Sequence, residues 1–158
     1  MILLTASAAW AQNEVERERI SLEGLQEFGF TATVEGNAAI AERSDLRPSE
    51  FQRLAVEALQ RAGIRFVRDQ EVRSSADIPF LYMHINTMQL DNGLIPFSIQ
   101  LRLYQPAELT LHRNLRTSVS TWEDGSVGLV SSDRISAILA EADNLLFTFL
   151  EEYRRANR

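Results

Sequence analysis

Apolar and polar residues alternate along the stretch from Pro79 to Val130. Leu81, Met83 and Ile85 are separated by Tyr82, His84 and Asn86; Phe97, Ile99, Leu101 and Leu103 are separated by Ser98, Gln100, Arg102 and Tyr104. A period of two over this length predicts half-buried strands with one face against a core. Asp91-Asn92-Gly93 stands between the two runs as a turn signal. A two-residue Asn-Gly turn would set Met83 against Arg102 and mix the faces. A three-residue loop pairs Leu90 with Leu94, Met83 with Leu101 and Ile85 with Ile99. The apolar register therefore predicts a type I turn closed by Gly93 in the left-handed region. Pro96 has no N–H for a ladder and belongs at a strand start or a bulge. The Phe97 strand is expected to run past Pro106 through Leu109-Thr110-Leu111 with a kink. A strand from Thr117 to Trp122 follows, then a turn at Glu123-Asp124-Gly125 and an extended tail from Val127 to Val130.

Upstream, Phe28, Phe30, Ala32 and Val34 alternate with Gly29, Thr31 and Thr33, which predicts a first strand within Ser21 to Val34. Ala38 to Ala41 has the composition of a short helical turn. Pro48 to Ala62 carries Phe51, Leu54, Ala55, Ala58 and Leu59 on one stripe, with Pro48 at the first helical position and Gly63 just past the end. Ser49 with Gln52 resembles a capping box shifted by one. Ile64 to Val72 reads as a strand. Ser131 to Arg155 is a long amphipathic helix, capped by Ser132 or Asp133, with Ile138, Leu145, Leu146 and Phe149 on its apolar stripe. The order β-α-β-β-β-β-α predicts an α+β two-layer sandwich. Its sheet is mainly antiparallel, with four to five strands and two helices on one face.

The chain has 158 residues, enough for one domain with a real core. It has no cysteine, which excludes disulfides and thiolate metal sites. The net charge of −6 argues against nonspecific nucleic-acid binding. All 16 basic residues are arginine, which reads as the base composition of a GC-rich bacterial genome rather than as function. Residues 1–12, MILLTASAAWAQ, resemble the back half of a secretory signal peptide, with Ala9-Trp10-Ala11 as an A-x-A site. The positive start of such a peptide is missing, and the alternative is a buried strand or helix. The expected division is a truncated signal peptide over 1–12, a charged leader over 13–20 and a single domain over 21–158. No run of about 18 apolar residues predicts a spanning helix. These features point to the periplasm or beyond.

Ser21-Leu22 with Gly24-Leu25, Val34-Glu35, Ala62-Gly63-Ile64, Pro79 with Leu81-Tyr82, Thr121-Trp122 and Asn157 resemble a group of small exported bacterial proteins of uncharacterised function. The element order is similar to that of periplasmic envelope-assembly modules: the lipopolysaccharide-assembly protein that plugs its outer-membrane partner, and the N-terminal domain of the Tol-system propeller protein. The second likeness is one of architecture, and fold does not carry function with it. The assembly-protein family is usually lipid-anchored through a cysteine, which this chain lacks.

By parity, the face of the meander turned from the core carries Tyr82, His84, Met88, Arg102, Tyr104 and Trp122. Aromatic and arginine side chains are enriched in contact patches, so Tyr82, His84, Arg102, Tyr104 and Trp122 form the candidate binding set. A bulge at Pro106 would instead turn Trp122 into the core. His84 and His112 lack a third ligand at metal spacing, and no cofactor motif occurs. Gly125-Ser126-Val127-Gly128 only echoes a nucleophile elbow. Asp69, Glu71 and Asp77 are available for paired acid–base work but read more simply as a solvated edge. The expected function is an exported, non-enzymatic module binding an envelope protein or a lipid-like ligand. The alternatives are a hydrolase with an unrecognised site and a lipid- or lipopolysaccharide-handling protein.

Overall fold

The computed structural model of the chain describes residues 5–75, 77–111 and 115–158. The chain runs through α1 (Thr5–Ile20), β1 (Glu27–Glu35), α2 (Ala38–Ala41), α3 (Pro48–Arg61), β2 (Arg65–Val67), α4 (Asp69–Ser74), β3 (Phe80–Thr87), β4 (Leu94–Glu108), β5 (Arg116–Ser131) and α5 (Ser136–Ala156). The strands form one sheet in the order β2-β1-β3-β4-β5. β1 lies parallel to both β2 and β3, whereas β3, β4 and β5 form an antiparallel meander. The α+β two-layer expectation holds, with a mixed sheet.

The β3–β4 hairpin has the register required by its apolar residues. Met83 faces Leu101 and Ile85 faces Ile99. The Leu90 N–H donates to the Leu94 carbonyl at 2.8 Å, and Gly93 closes the loop at φ 79°. A slip by one residue would send these side chains to the other face, so burial enforces the pairing. Leu81, Met83, Ile85, Ile99, Leu101 and Leu103 are fully buried, as are Phe51 and Ala55 of α3 and Ile138, Ala142 and Phe149 of α5. Each large side chain removed from water contributes roughly 1.5–3 kcal/mol.

Three local expectations change. Ile64–Val72 is not one strand: β2 stops at Val67 and the chain turns into α4. The cause lies across the sheet at Gly29. Its missing side chain leaves a hollow on the side opposite Phe28 and Phe30, and a Cβ there would collide with Val72. Coiling the chain after Arg68 sets Val72 in that hollow. Leu109–Leu111 leaves the sheet after the Glu108–Arg116 pair, and Leu111 is 91% exposed. Glu123-Asp124-Gly125 is no turn, because β5 keeps its ladder to β4 from Arg116 to Ser131. At the helix starts, Arg47 precedes Pro48 without a side-chain cap, and a 3₁₀ turn at Ser132–Arg134 leads into α5.

The ends of the domain are tied at one corner. The Asn157 side chain accepts from the Gly24 N–H at 2.8 Å and donates to the Leu22 carbonyl at 3.0 Å. The Tyr153 hydroxyl donates to the Leu25 carbonyl at 2.6 Å, and burial pushes its pKa up. Ser21 donates to the Thr121 carbonyl at 3.1 Å, and Gln105 donates to both the Ser21 carbonyl and the Thr121 hydroxyl. Short motifs far apart in sequence therefore meet here. Replacing Asn157 by Ala removes both bonds, one of them open to water, and should cost about 1 kcal/mol in urea unfolding. A loss below a few tenths of that figure would show the corner to be unimportant.

Glu18 on α1 lies over the acidic part of β5. Burial first, then Glu123, Glu14 and Asp124, push its carboxyl pKa above the ordinary value. Folding therefore disfavours the charged form. That penalty is absent at low pH, where Glu18 is protonated folded or unfolded, and complete once pH exceeds the raised value. Glu18→Gln should raise the melting temperature modestly at neutral pH, and the gain should vanish below about pH 4. A gain of equal size at both pH values would contradict this account.

Candidate functional site: the open face of the sheet

The face turned from α3 and α5 is laid out in rows by strand register. Gly29, Phe80, Tyr104 and Ser120 form the first row; Thr31, Tyr82, Arg102 and Glu123 the second; Thr33, His84, Gln100 and Gly125 the third; Glu35, Asn86, Ser98 and Val127 the fourth. Alternation along each strand places these residues on one side as surely as it buries their neighbours. Among the described residues, α4 covers only the β1 end of the first row, through Val72.

The aromatic groups touch. Phe80 and Tyr104 stack at 5.2 Å between ring centres with 13° between planes. Tyr82 stacks on His84 at 6.1 Å and meets Tyr104 at 6.4 Å. All four are half-buried. They are pinned from below by the ladder and from the side by each other, so little side-chain freedom is left to lose on contact. Phe80 joins the set by the same even-position parity as Tyr82 and Tyr104, a signal already present in the alternation along the chain.

Arg102 is held on two sides. Its Nη2 donates to Gln100 Oε1 at 3.0 Å, and its Nε lies 3.2 Å from Glu123 Oε2. A hydrogen bond with Tyr104 is the main cause that raises its pKa further, with Glu123 adding to it. The guanidinium is thus an oriented cation beside the rings. His84 Nε2 is shielded from solvent without a hydrogen bond, and Glu35 Oε2 stands 3.5 Å from it. Glu35 itself is 61% exposed, so this pair sits at the open side of the face.

Trp122 is not part of this surface. Leu103 pairs with Trp122, but Tyr104 pairs with Ser120, which leaves Thr121 as an extra residue. Ser120 points outward; the bulge reverses the alternation, and Trp122 points inward at 5% exposure. There it packs edge-on against Phe149 at 5.1 Å. Tyr82, His84, Arg102 and Tyr104 do gather on one face. His112 lies outside the described residues. Glu71 lies 3.9 Å from Arg65 and Asp77 pairs with Arg116 at 2.6 Å, so these carboxylates are engaged with arginines rather than with each other. Ser126 sits in an uninterrupted strand opposite Ile99, not on an elbow. Among the described residues, no three His, Asp or Glu side chains gather at metal distance, and no helix is long and apolar enough to cross a membrane.

No family model matches the chain, and no curated protein matches it. Solved structures resemble it at low identity. A PelC L103M dodecamer from Paraburkholderia phytofirmans is 13% identical, with 86% of this chain and 92% of that one covered and a TM-score of 0.49. A minor lipoprotein from Acinetobacter baumannii is 10% identical, with 82% and 94% covered and a TM-score of 0.31. A neuraminyllactose-binding hemagglutinin homolog from Helicobacter pylori is 12% identical, with 82% and 89% covered and a TM-score of 0.34. These are likenesses of backbone alone.

The placement of the aromatic residues sets an order of stabilities. Trp122→Ala should cost about 3–5 kcal/mol, as for a large aromatic removed from a core. Tyr104→Ala, on a half-open face, should cost about 1 kcal/mol. Urea unfolding of the two variants checks this, and the reverse order would place Trp122 outside after all.

Proposed function

We propose that this protein is an exported, non-enzymatic binding module of the periplasm or cell exterior, which docks an envelope protein on the open face of its sheet. The observation that carries this reading is the rigid ring set of Phe80, Tyr104, Tyr82 and His84 beside an oriented Arg102. Tyrosine and arginine held in place in this way are the side chains that dominate contact surfaces, because they bury much area at little entropic cost. The signal-like residues 1–12 support export. A hydrolase would use His84 with Glu35, but the Glu35 carboxylate is open to solvent, and an enclosed site is where such a pair gains catalytic strength. A lipid-handling protein would need an apolar groove, whereas this face mixes rings with Arg102, Gln100 and Glu123.

Affinity capture from bacterial envelope extracts tests the proposal. Tyr82→Ala and Tyr104→Ala should each lose the captured protein while still folded, with melting lowered by no more than a few degrees, whereas Phe147→Ala, on the exposed side of α5, should retain it. Equal recovery by all three variants would remove the open face from consideration.

A further inference from the structure

The two edges of the sheet differ. β2 is three residues long, and β5 is 16 residues long. Natural proteins protect long edges with charges, bulges, prolines or a covering element, because an open edge templates pairing with another chain. The first half of β5 has such protection. Thr121 forms the bulge, Ser21 donates to its carbonyl, and Glu123 and Asp124 bring charge. Gly125 to Ser131 has no charge, proline or bulge. Among the described residues, no strand pairs with its outer edge. Val127 is 82% exposed and Leu129 is 59% exposed.

The direction of the backbone groups follows from one bond. The Ser132 N–H donates to the Gly93 carbonyl at 3.0 Å, so position 132 faces β4. Antiparallel ladders alternate, so Ser126, Gly128 and Val130 also face β4. Gly125, Val127, Leu129 and Ser131 then present their N–H and C=O groups away from the sheet. Gly125 fits this pattern, since its N–H is taken by the Asp124 side chain at 2.8 Å. That bond closes one end of the free edge and leaves Val127 to Ser131.

We propose that the occupant of this edge is a second copy of the chain, paired antiparallel through β5 about a two-fold axis at Gly128. The argument is self-complementarity. Val127 and Leu129 flank Gly128 at equal spacing, so the rotation sets Val127 against Leu129 of the second copy and Leu129 against its Val127. Each pair exchanges two backbone hydrogen bonds, and four exposed aliphatic side chains cover one another. The charges agree as well. Glu123 is held by Arg102, and Asp133 is hydrogen-bonded to Ser131. The Gly128 axis sets Asp124 of each copy opposite Ser132 of the other, with the exposed Arg134 just beyond that end of the ladder. The assembly closes at two because the two-fold axis uses the same edge on both copies.

Sedimentation velocity of the full chain over a wide concentration range tests the proposal. The wild type should show a monomer–dimer equilibrium. Val127→Pro removes an N–H that points away from β4 and is compatible with an edge strand; it should weaken dimerisation without changing the circular dichroism. If that variant misfolds, Val127→Lys with Leu129→Lys decides the matter. Those side chains project into solvent in the monomer but place like charges across the axis in the dimer, so association should fall by at least about tenfold. A wild type that stays monomeric throughout would overturn the proposal and leave the edge to a foreign strand. A dimer unmoved by the substitutions would overturn it by placing the contact elsewhere.

Discussion

Phe149 holds the two layers together. From α5 it meets Phe28 of β1 at 5.5 Å, Trp122 of β5 at 5.1 Å and Tyr153 one turn along its own helix at 6.5 Å. Phe28 in turn meets Tyr153 edge-on at 5.7 Å. Edge-to-face contacts of this kind add to the area each ring removes from water. Strands from the middle and the edge of the sheet are therefore fixed relative to one helix by one fully buried side chain. The position of α5 then decides which side of the sheet is closed, and by exclusion which side is open.

The open side inherits its order from the closed one. Every ring on the outer face is bonded through its backbone to a neighbour whose side chain lies in the core, as Tyr82 is between Leu81 and Met83. A displacement of Tyr82 or Tyr104 would have to move buried residues, and close packing resists that. The face is thus a preorganised array. Its cation, Arg102, is held by Gln100 and Glu123 without support from any loop. Binding on such a surface would cost little ordering.

The bulge at Thr121 connects the two sides and the edge. It rotates Trp122 into contact with Phe149 and leaves Ser120 outside. It also exposes the Thr121 carbonyl to Ser21, so the segment leaving α1 is tied to the same point. Gln105 reaches both partners across β4 and β5. One inserted residue thus sets the face of an aromatic side chain, the attachment of the N-terminal segment and the point beyond which the β5 edge is unprotected.

The residues themselves determined the meander register, since only a three-residue loop at Gly93 keeps Met83 and Ile85 on the face of Leu101 and Ile99. They also determined α3 and α5, through stripes at the helical period, and the outward placement of Tyr82, His84, Arg102 and Tyr104. Period-two and period-3.6 patterns are local, and burial of one face makes them binding. What local pattern could not contain was decided by contacts between distant segments. The hollow at Gly29 ends β2 and coils α4 beneath Val72. The full length of β4 carries β5 straight through Glu123-Asp124-Gly125, where the composition suggests a turn. The extra residue at Thr121 sends Trp122 inward, because a count of positions along one strand does not register how many residues its partner has in the same space.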